Sequence, residues 1–495
     1  MNIHKGDDSY GHVLKYMSLF GSVQGLTVLV NLVRNKAVAL LLGPQGMGLL
    51  SLLNASVNFI SQSTNFGLSA SAVKHLSENV DGCNSVNSTK RLDDERIRHY
   101  VSVLRSWELL TAVIGMVACV VIGPMLNDAT FSWGDHTLHF MLLAPAIGMM
   151  AVTGGEMAIL KAMRKLRTLA VMQVYTVIAT LLLTIILFYY FGQSAIVPVI
   201  VLSTGVSCAM VLWFSLRLFP LRLHGYLSLL REGLPMVKLG MAFVVAGAFG
   251  SGAELLIRSY LNVNAGLDDV GLYNAGYMLL ITLGGLLMAS LDADYFPRLS
   301  AVNSNQTEVN TLANQQIEVG LTLAMPVSVV TILFSPIIVP MLLSSEFLPI
   351  VPMVQVASFS LLFKVIAVPL SFQTLSKGDA LSFVLLEMVT NIVMVVFLIV
   401  GYNYNGLHGM GMAITLMWVA ELLIVYFYTR WRYGFRFSGK TLGFLFRLFP
   451  VVIAAYAASF VSVPYVYWSL ACAIMIASAW FSFVRIQQER KDDSQ

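Results

Sequence analysis

With the lysines and arginines in or near the basic loops set aside, four basic side chains remain inside long apolar stretches of this sequence: Arg34, Lys36, Arg258 and Lys364. A cation in a bilayer core is costly, so it faces a cavity, a partner or the headgroups. Arginine offers a planar fork of donors that matches phosphate oxygens. Arg34 and Arg258 are therefore candidates for binding a pyrophosphate. The competing reading has them snorkelling to the outer headgroups. That is the better account of Lys36, which is closest to the end of its stretch. Glu254 precedes Arg258 at i, i+4 spacing, so the two share a helical face and can pair. The pair either makes both charges tolerable in an apolar medium or works as a switch, released when an anionic substrate or a coupling cation competes.

Glu387 and Glu421 are the other acids deep in apolar stretches. Lys364 could be their partner, or either acid could carry a coupling proton or sodium ion. Glu254, Lys364, Glu387 and Glu421 are thus the gating or coupling candidates. Glu156 lies near the basic run from Lys161 to Arg167 and is expected to pair with it. The amides Gln24, Asn31, Asn54, Asn58, Gln62 and Asn65 suit sugar hydroxyls, and equally suit bonding between helices.

Other chemistries find no support. The sequence has no nucleotide-binding motif, so this chain is not expected to be ATP-driven. Cys83, Cys119, Cys208 and Cys472 lack metal-ligand spacing and read as small thiols. Asp292 and Asp294 form the only close acidic pair in an apolar stretch, and their place before Pro297 and Arg298 suggests an interfacial role. No catalytic residue, metal site, cofactor or nucleic-acid partner is expected, apart from a coupling Na+ or H+.

The elements that position these residues follow from composition. Hydrophobic residues make up 57% of the chain and charged ones 11%, and mean hydropathy is +0.76. A soluble domain carries about 25% charged residues. Apolar runs recur along the whole length, giving an all-α polytopic membrane protein of about 14 transmembrane helices. They span roughly 13–42, 46–76, 99–123, 138–160, 168–191, 195–216, 234–261, 270–297, 313–339, 350–374, 380–401, 408–429, 442–462 and 465–485. The longest polar break runs from Ser77 to Arg98. Met1 to Tyr10 shows no cleavable signal pattern, so the first stretch is expected to be a retained helix.

Lysine and arginine orient the chain. With a cytoplasmic N-terminus, cytoplasmic loops carry Lys161, Arg164, Lys165 and Arg167, then Arg217, Arg222 and Arg231, then Arg430, Arg432, Arg436 and Lys440. The opposite loops, Asn127–Thr137, Asn262–Asp269, Ser344–Leu348 and Tyr402–Leu407, carry acids and neither lysine nor arginine. Both termini are therefore expected in the cytoplasm.

An internal repeat is also visible. Gly43-Pro-Gln-Gly-Met-Gly48-Leu49 resembles Gly266-Leu-Asp-Asp-Val-Gly271-Leu272, and Lys15 matches Lys238 at the same spacing. The repeat predicts two six-helix halves related by an axis along the membrane normal, with two helices appended. The expected divisions are 1–232, 233–440 and 441–495. Arg34 and Arg258 then lie at matched depth on the first helix of each half.

The segment Ala39-Leu-Leu-Leu-Gly-Pro-Gln-Gly-Met-Gly48-Leu-Leu-Ser-Leu-Leu, followed by Asn65-Phe-Gly-Leu-Ser-Ala-Ser-Ala-Val-Lys74, resembles the Wzx or O-antigen flippases. These belong to the multidrug/oligosaccharidyl-lipid/polysaccharide (MOP) exporter superfamily. The resemblance implies a V-shaped, MATE-like transporter with a central cavity between two bundles. Its cargo would be an undecaprenyl-pyrophosphate-linked oligosaccharide, moved between leaflets by alternating access for lipopolysaccharide or related surface-polysaccharide synthesis. Membrane lipids and other polysaccharide-assembly membrane proteins are the further partners it allows. Two alternatives stand beside it. A MATE-type cation-coupled antiporter would want acids and aromatics around a cationic cargo. A membrane-embedded polymerase or glycosyltransferase would want a large outside loop or a carboxylate and metal cluster.

Overall fold

In a bilayer, each backbone N–H and C=O must find its partner without water, and a helix does so within its own segment. The chain meets that demand throughout. Its structure, a computed structural model, describes residues 7–69, 71–73, 90–130, 137–163, 165–220 and 226–492, which form helices and no strand. Cys83, Asp135, Arg164 and Arg222 lie outside the described residues, as do the side chains of Lys15, Asp292 and Asp294.

Two compact units make up the chain, Met1–Leu267 and Asp268–Gln495. The first contains α1 (Asp7–Thr64), α2 (Lys90–Thr130), α3 (Thr137–Ala162), α4 (Leu166–Phe191), α5 (Ile196–Leu218), the short α6 (Tyr226–Glu232) and α7 (Leu234–Asn264). The second contains α8 (Leu267–Ala301), α9 (Gln306–Leu342), α10 (Val351–Ala357), α11 (Ser360–Ser376), α12 (Ala380–Tyr433), α13 (Gly439–Ala458) and α14 (Pro464–Asp492). The first unit runs one helix further than the division expected at 232, because α7 packs along α1. The helices expected as an appendage, α13 and α14, pack on α9 and complete the core of the second unit.

Nine helices among the described residues are long and apolar enough to cross a membrane, or ten if α10 and α11, bent by 51°, form one span. This is a multi-pass membrane protein. Several of these helices are too long for one crossing. The 54 residues of α12 would extend about 80 Å as one rod, against a hydrocarbon core of about 30 Å. Breaks divide them where the sequence predicted turns. Gly43 interrupts α1 with φ 64° and ψ −172°, a region open essentially to glycine alone. A 3-10 turn, Gly192–Ala195, joins α4 to α5, and Asn405 and Gly406 interrupt α12. At the last break the chain doubles back: a Cβ built on Gly409 would lie 1.9 Å from the carbonyl oxygen of Gly401. The polar break after Ser77 is shorter than expected, because the charged residues from Lys90 onward already belong to α2.

Each unit has its own apolar interior. In the second, Ile317, Leu321, Met325, Val329 and Ile332 of α9 are wholly buried among α11, α13 and α14. In the first, Leu68, Val101, Leu104 and Ile159 are buried between the ends of α1, α2 and α3. The outer surface is apolar too. Leu381, Leu385, Val389, Ile392, Val396 and Val400 of α12 are all exposed at helical spacing, the face a helix turns to lipid.

Candidate functional site

The expected cation on α7 is present and held. Arg258 is 7% exposed. Its Nε donates to Ser51 Oγ on α1 at 2.8 Å, and its Nη1 donates to the Glu254 carbonyl at 3.1 Å and to Glu254 Oε2 at 3.2 Å. The i, i+4 pairing expected from the sequence is therefore made. It is lopsided: the Arg258 side chain is 9% exposed and that of Glu254 is 40% exposed. The next residue, Ser259, bonds the Thr130 hydroxyl at 3.3 Å, and one turn along α7 Asn262 Nδ2 donates to the Thr130 carbonyl at 2.7 Å. These bonds tie this end of α7 to α1 and to the last turn of α2. Arg34 is half-buried on α1 and takes no part in them.

Ser51 begins a polar column. Asn54, Asn58 and Gln62 follow it on α1 at helical spacing, and all three are exposed. A helix face turned to lipid does not carry successive exposed amides. The column therefore faces water or a polar cargo, with the guanidinium of Arg258 bonded at one end. Gln62 accepts from Asn65 Nδ2 at 3.1 Å. Of the remaining amides on α1, Gln24 is exposed and Asn31 half-buried.

Three of the gating or coupling candidates, Lys364, Glu387 and Glu421, come together in the second unit, while Glu254 lies in the first. A cavity of about 270 Å³ is lined by Glu387 and Asn391 from the first half of α12, Trp418 and Glu421 from the second, Tyr277 from α8 and Phe372 from α11. The doubling-back of α12 brings the two acids to one wall. Lys364 of α11 stands over the Trp418 ring with its Nζ 5.2 Å from the centroid, a cation–π contact. Glu421 is within electrostatic reach of both Glu387 and Lys364. The cavity thus combines two acids, amide and aromatic walls, and one cation at its side.

A third polar cluster, in the first unit, was missed by sequence reasoning. Among the described residues, Glu156 pairs with Arg105 and not with Lys161, Lys165 or Arg167. Both its oxygens accept from Arg105 of α2, at 2.6 and 3.1 Å, inside the core where the two side chains are 4% and 2% exposed. Arg105 lies toward the charged start of α2, where a basic side chain by itself does not stand out in sequence. The signal available was Glu108 at i, i+3 from it, two charges on one face of an otherwise apolar helix.

The sequence profile described as polysaccharide biosynthesis protein matches residues 37–352. No curated protein matches the chain in sequence. Solved structures do match in fold. A lipid II flippase, MurJ, in an inward closed conformation is similar at TM-score 0.71 and 14% identity, over 95% of this chain and 99% of that one. A multidrug resistance MATE family transporter of the MOP superfamily, inward-facing, is similar at TM-score 0.65 and 15% identity, over 82% of this chain and 94% of that one. Its outward-facing counterpart matches at TM-score 0.58 and 16% identity, over 84% of this chain and 93% of that one.

Proposed function

The chain belongs to the polysaccharide biosynthesis protein family, and from that premise we propose that it is a flippase for an undecaprenyl-pyrophosphate-linked oligosaccharide. It works by alternating access in a bacterial inner membrane, with both termini cytoplasmic, and delivers its cargo to the periplasmic leaflet. The observation that carries the reading is the amide column Asn54–Asn58–Gln62, which ends at Ser51 and the guanidinium of Arg258. Sugars want amide donors and acceptors, and a pyrophosphate wants a guanidinium fork. Arg34 and Arg258 take the pyrophosphate, and Glu254, which is the more exposed partner, yields Arg258 to it. Asn58, Gln62, Gln24 and Asn31 contact the glycan. The all-helical fold shared with a lipid II flippase supports this reading. In the second unit, Glu387 and Glu421 carry the coupling Na+ or H+, with Lys364 beside them.

One observation favours a second reading. The acid-and-aromatic cavity suits a small organic cation, as a MATE-type antiporter would need. Deleting the gene separates the two. A flippase leaves complete lipid-linked oligosaccharides accumulated in the membrane, and an antiporter leaves none and sensitises cells to cationic compounds. Truncated glycans would instead indicate a glycosyltransferase. Complementation with Arg258→Lys should be intermediate and with Arg258→Ala poorest, because a charge-assisted contact of about 1.5–3 kcal/mol, one to two decades in affinity, loses first its fork and then its charge. Full complementation by Arg258→Ala would remove Arg258 from the site.

A further inference from the structure

The charges around Arg105 do not balance. Glu108 and Glu156 are each 2% exposed, and a single guanidinium serves both. Arg105 commits its donors to Glu156, to Ser215 Oγ at 3.3 Å and to the Phe219 carbonyl at 2.8 Å. The Ser215 hydroxyl donates to Glu156 as well. Glu108, one turn along α2, receives none of these bonds, and its buried Oε1 has no hydrogen-bond partner. Its carboxyl fits only because residue 155 is glycine: a Cβ there would lie 1.9 Å from Glu108 Oε1.

Among the described residues, Arg105 is the one cation that acts on Glu108. On α5, Cys208 lies within electrostatic reach of both acids. On α6 and α7, Arg231, Glu232 and Lys238 are exposed, as are Lys165 and Arg167 at the start of α4. Between Lys36 and Thr64, α1 carries no ionisable residue. Two like charges in one dry site cannot both persist against a single counter-charge, and an unpaired buried carboxylate is neutralised.

We propose that Glu108 and Glu156 share one exchangeable proton, held on Glu108 while Arg105 is bonded to Glu156, so that this cluster is a proton-binding site. The end of α5 and the short α6 both hold this stretch of α2. The Arg105 bond to Phe219 lies where α5 stops, and Pro220 beyond it is exposed. The indole of Trp107 donates to the Leu230 carbonyl of α6 at 3.1 Å. Loss of the shared proton leaves Arg105 as the single counter-charge to two carboxylates. The site is separate from the acids of the second unit, and it does not depend on the nature of the cargo.

Infrared spectroscopy of the full-length protein in lipid tests this at neutral pH. The wild type minus Glu108→Gln difference spectrum should show one carboxylic-acid C=O band, and that band should shift in D2O. Glutamine copies the shape of the protonated acid, so Glu108→Gln should unfold with the wild type. In Glu156→Gln, Arg105 should draw the charge onto Glu108, so the same band is lost and the fold survives. A difference spectrum without the band, a band that does not shift in D2O, or a Glu108→Gln protein that fails to fold would each overturn the proposal. So would a Glu156→Gln protein that keeps the band or does not fold.

Discussion

Arg105 and Arg258 answer the same problem, a guanidinium inside apolar helices, in opposite ways. The Arg105–Glu156 pair is closed on both sides, with an added carbonyl and hydroxyl. Its bonds hold α2, α3 and α5 in one arrangement, and removing Arg105 itself would strand a buried charge. The Arg258–Glu254 pair is closed on the arginine side and open on the glutamate side, so an entering anion can compete for the arginine. The acids of the second unit are a third case. Glu387 and Glu421 face a cavity large enough for a hydrated ion, with Lys364 and Trp418 at its edge. Glu387→Gln and Glu421→Gln are expected to change the pH or sodium dependence of transport in proteoliposomes while expressing and melting normally. Variants that transport with unchanged ion dependence would make both acids structural.

At the scale of the element, the hairpins depend on glycine. Gly43 and Gly266, matched in the internal repeat, both take left-handed φ values, 64° and 95°. Each sits at a break between one helix and the next, where glycine takes a positive φ without strain. The α12 hairpin has a different requirement. Gly401 and Gly409 place two backbones in contact, and the atom that a Cβ at 409 would strike is a carbonyl oxygen, which cannot rotate away. Gly409→Ala should cost about 1–3 kcal/mol or more in an SDS-unfolding assay, as overpacking does. It should also displace Trp418 and Glu421 from the cavity wall. An unchanged unfolding midpoint would show that the two halves of α12 are not in contact.

At the scale of the molecule, the bilayer replaces water as the outer solvent, and the exposed stripe of α12 shows the consequence: apolar residues outside as well as inside. Orientation is then a matter of loop charge. The lysine-free and arginine-free segments alternate with the basic ones along the chain. Reporter fusions after Arg167 and after Asp269 should report opposite sides of the membrane. Signals from the same side would remove the expected topology and the parallel repeat with it.

The sequence by itself determined the class of protein, the positions of the breaks and the partner of Glu254. Each of these is local. Hydropathy acts within a segment, a turn needs its glycine in place, and an i, i+4 pair is set by helix geometry. Tertiary structure decided what depends on neighbours far apart in sequence. It placed α7 with the first unit and α13 and α14 in the core of the second. It moved Glu156 from a nearby basic run to Arg105, because a buried acid pairs with the guanidinium that packs against it rather than with the one closest along the chain. It also folded α12 back so that Glu387 and Glu421 share a cavity, a meeting that their separation in sequence conceals.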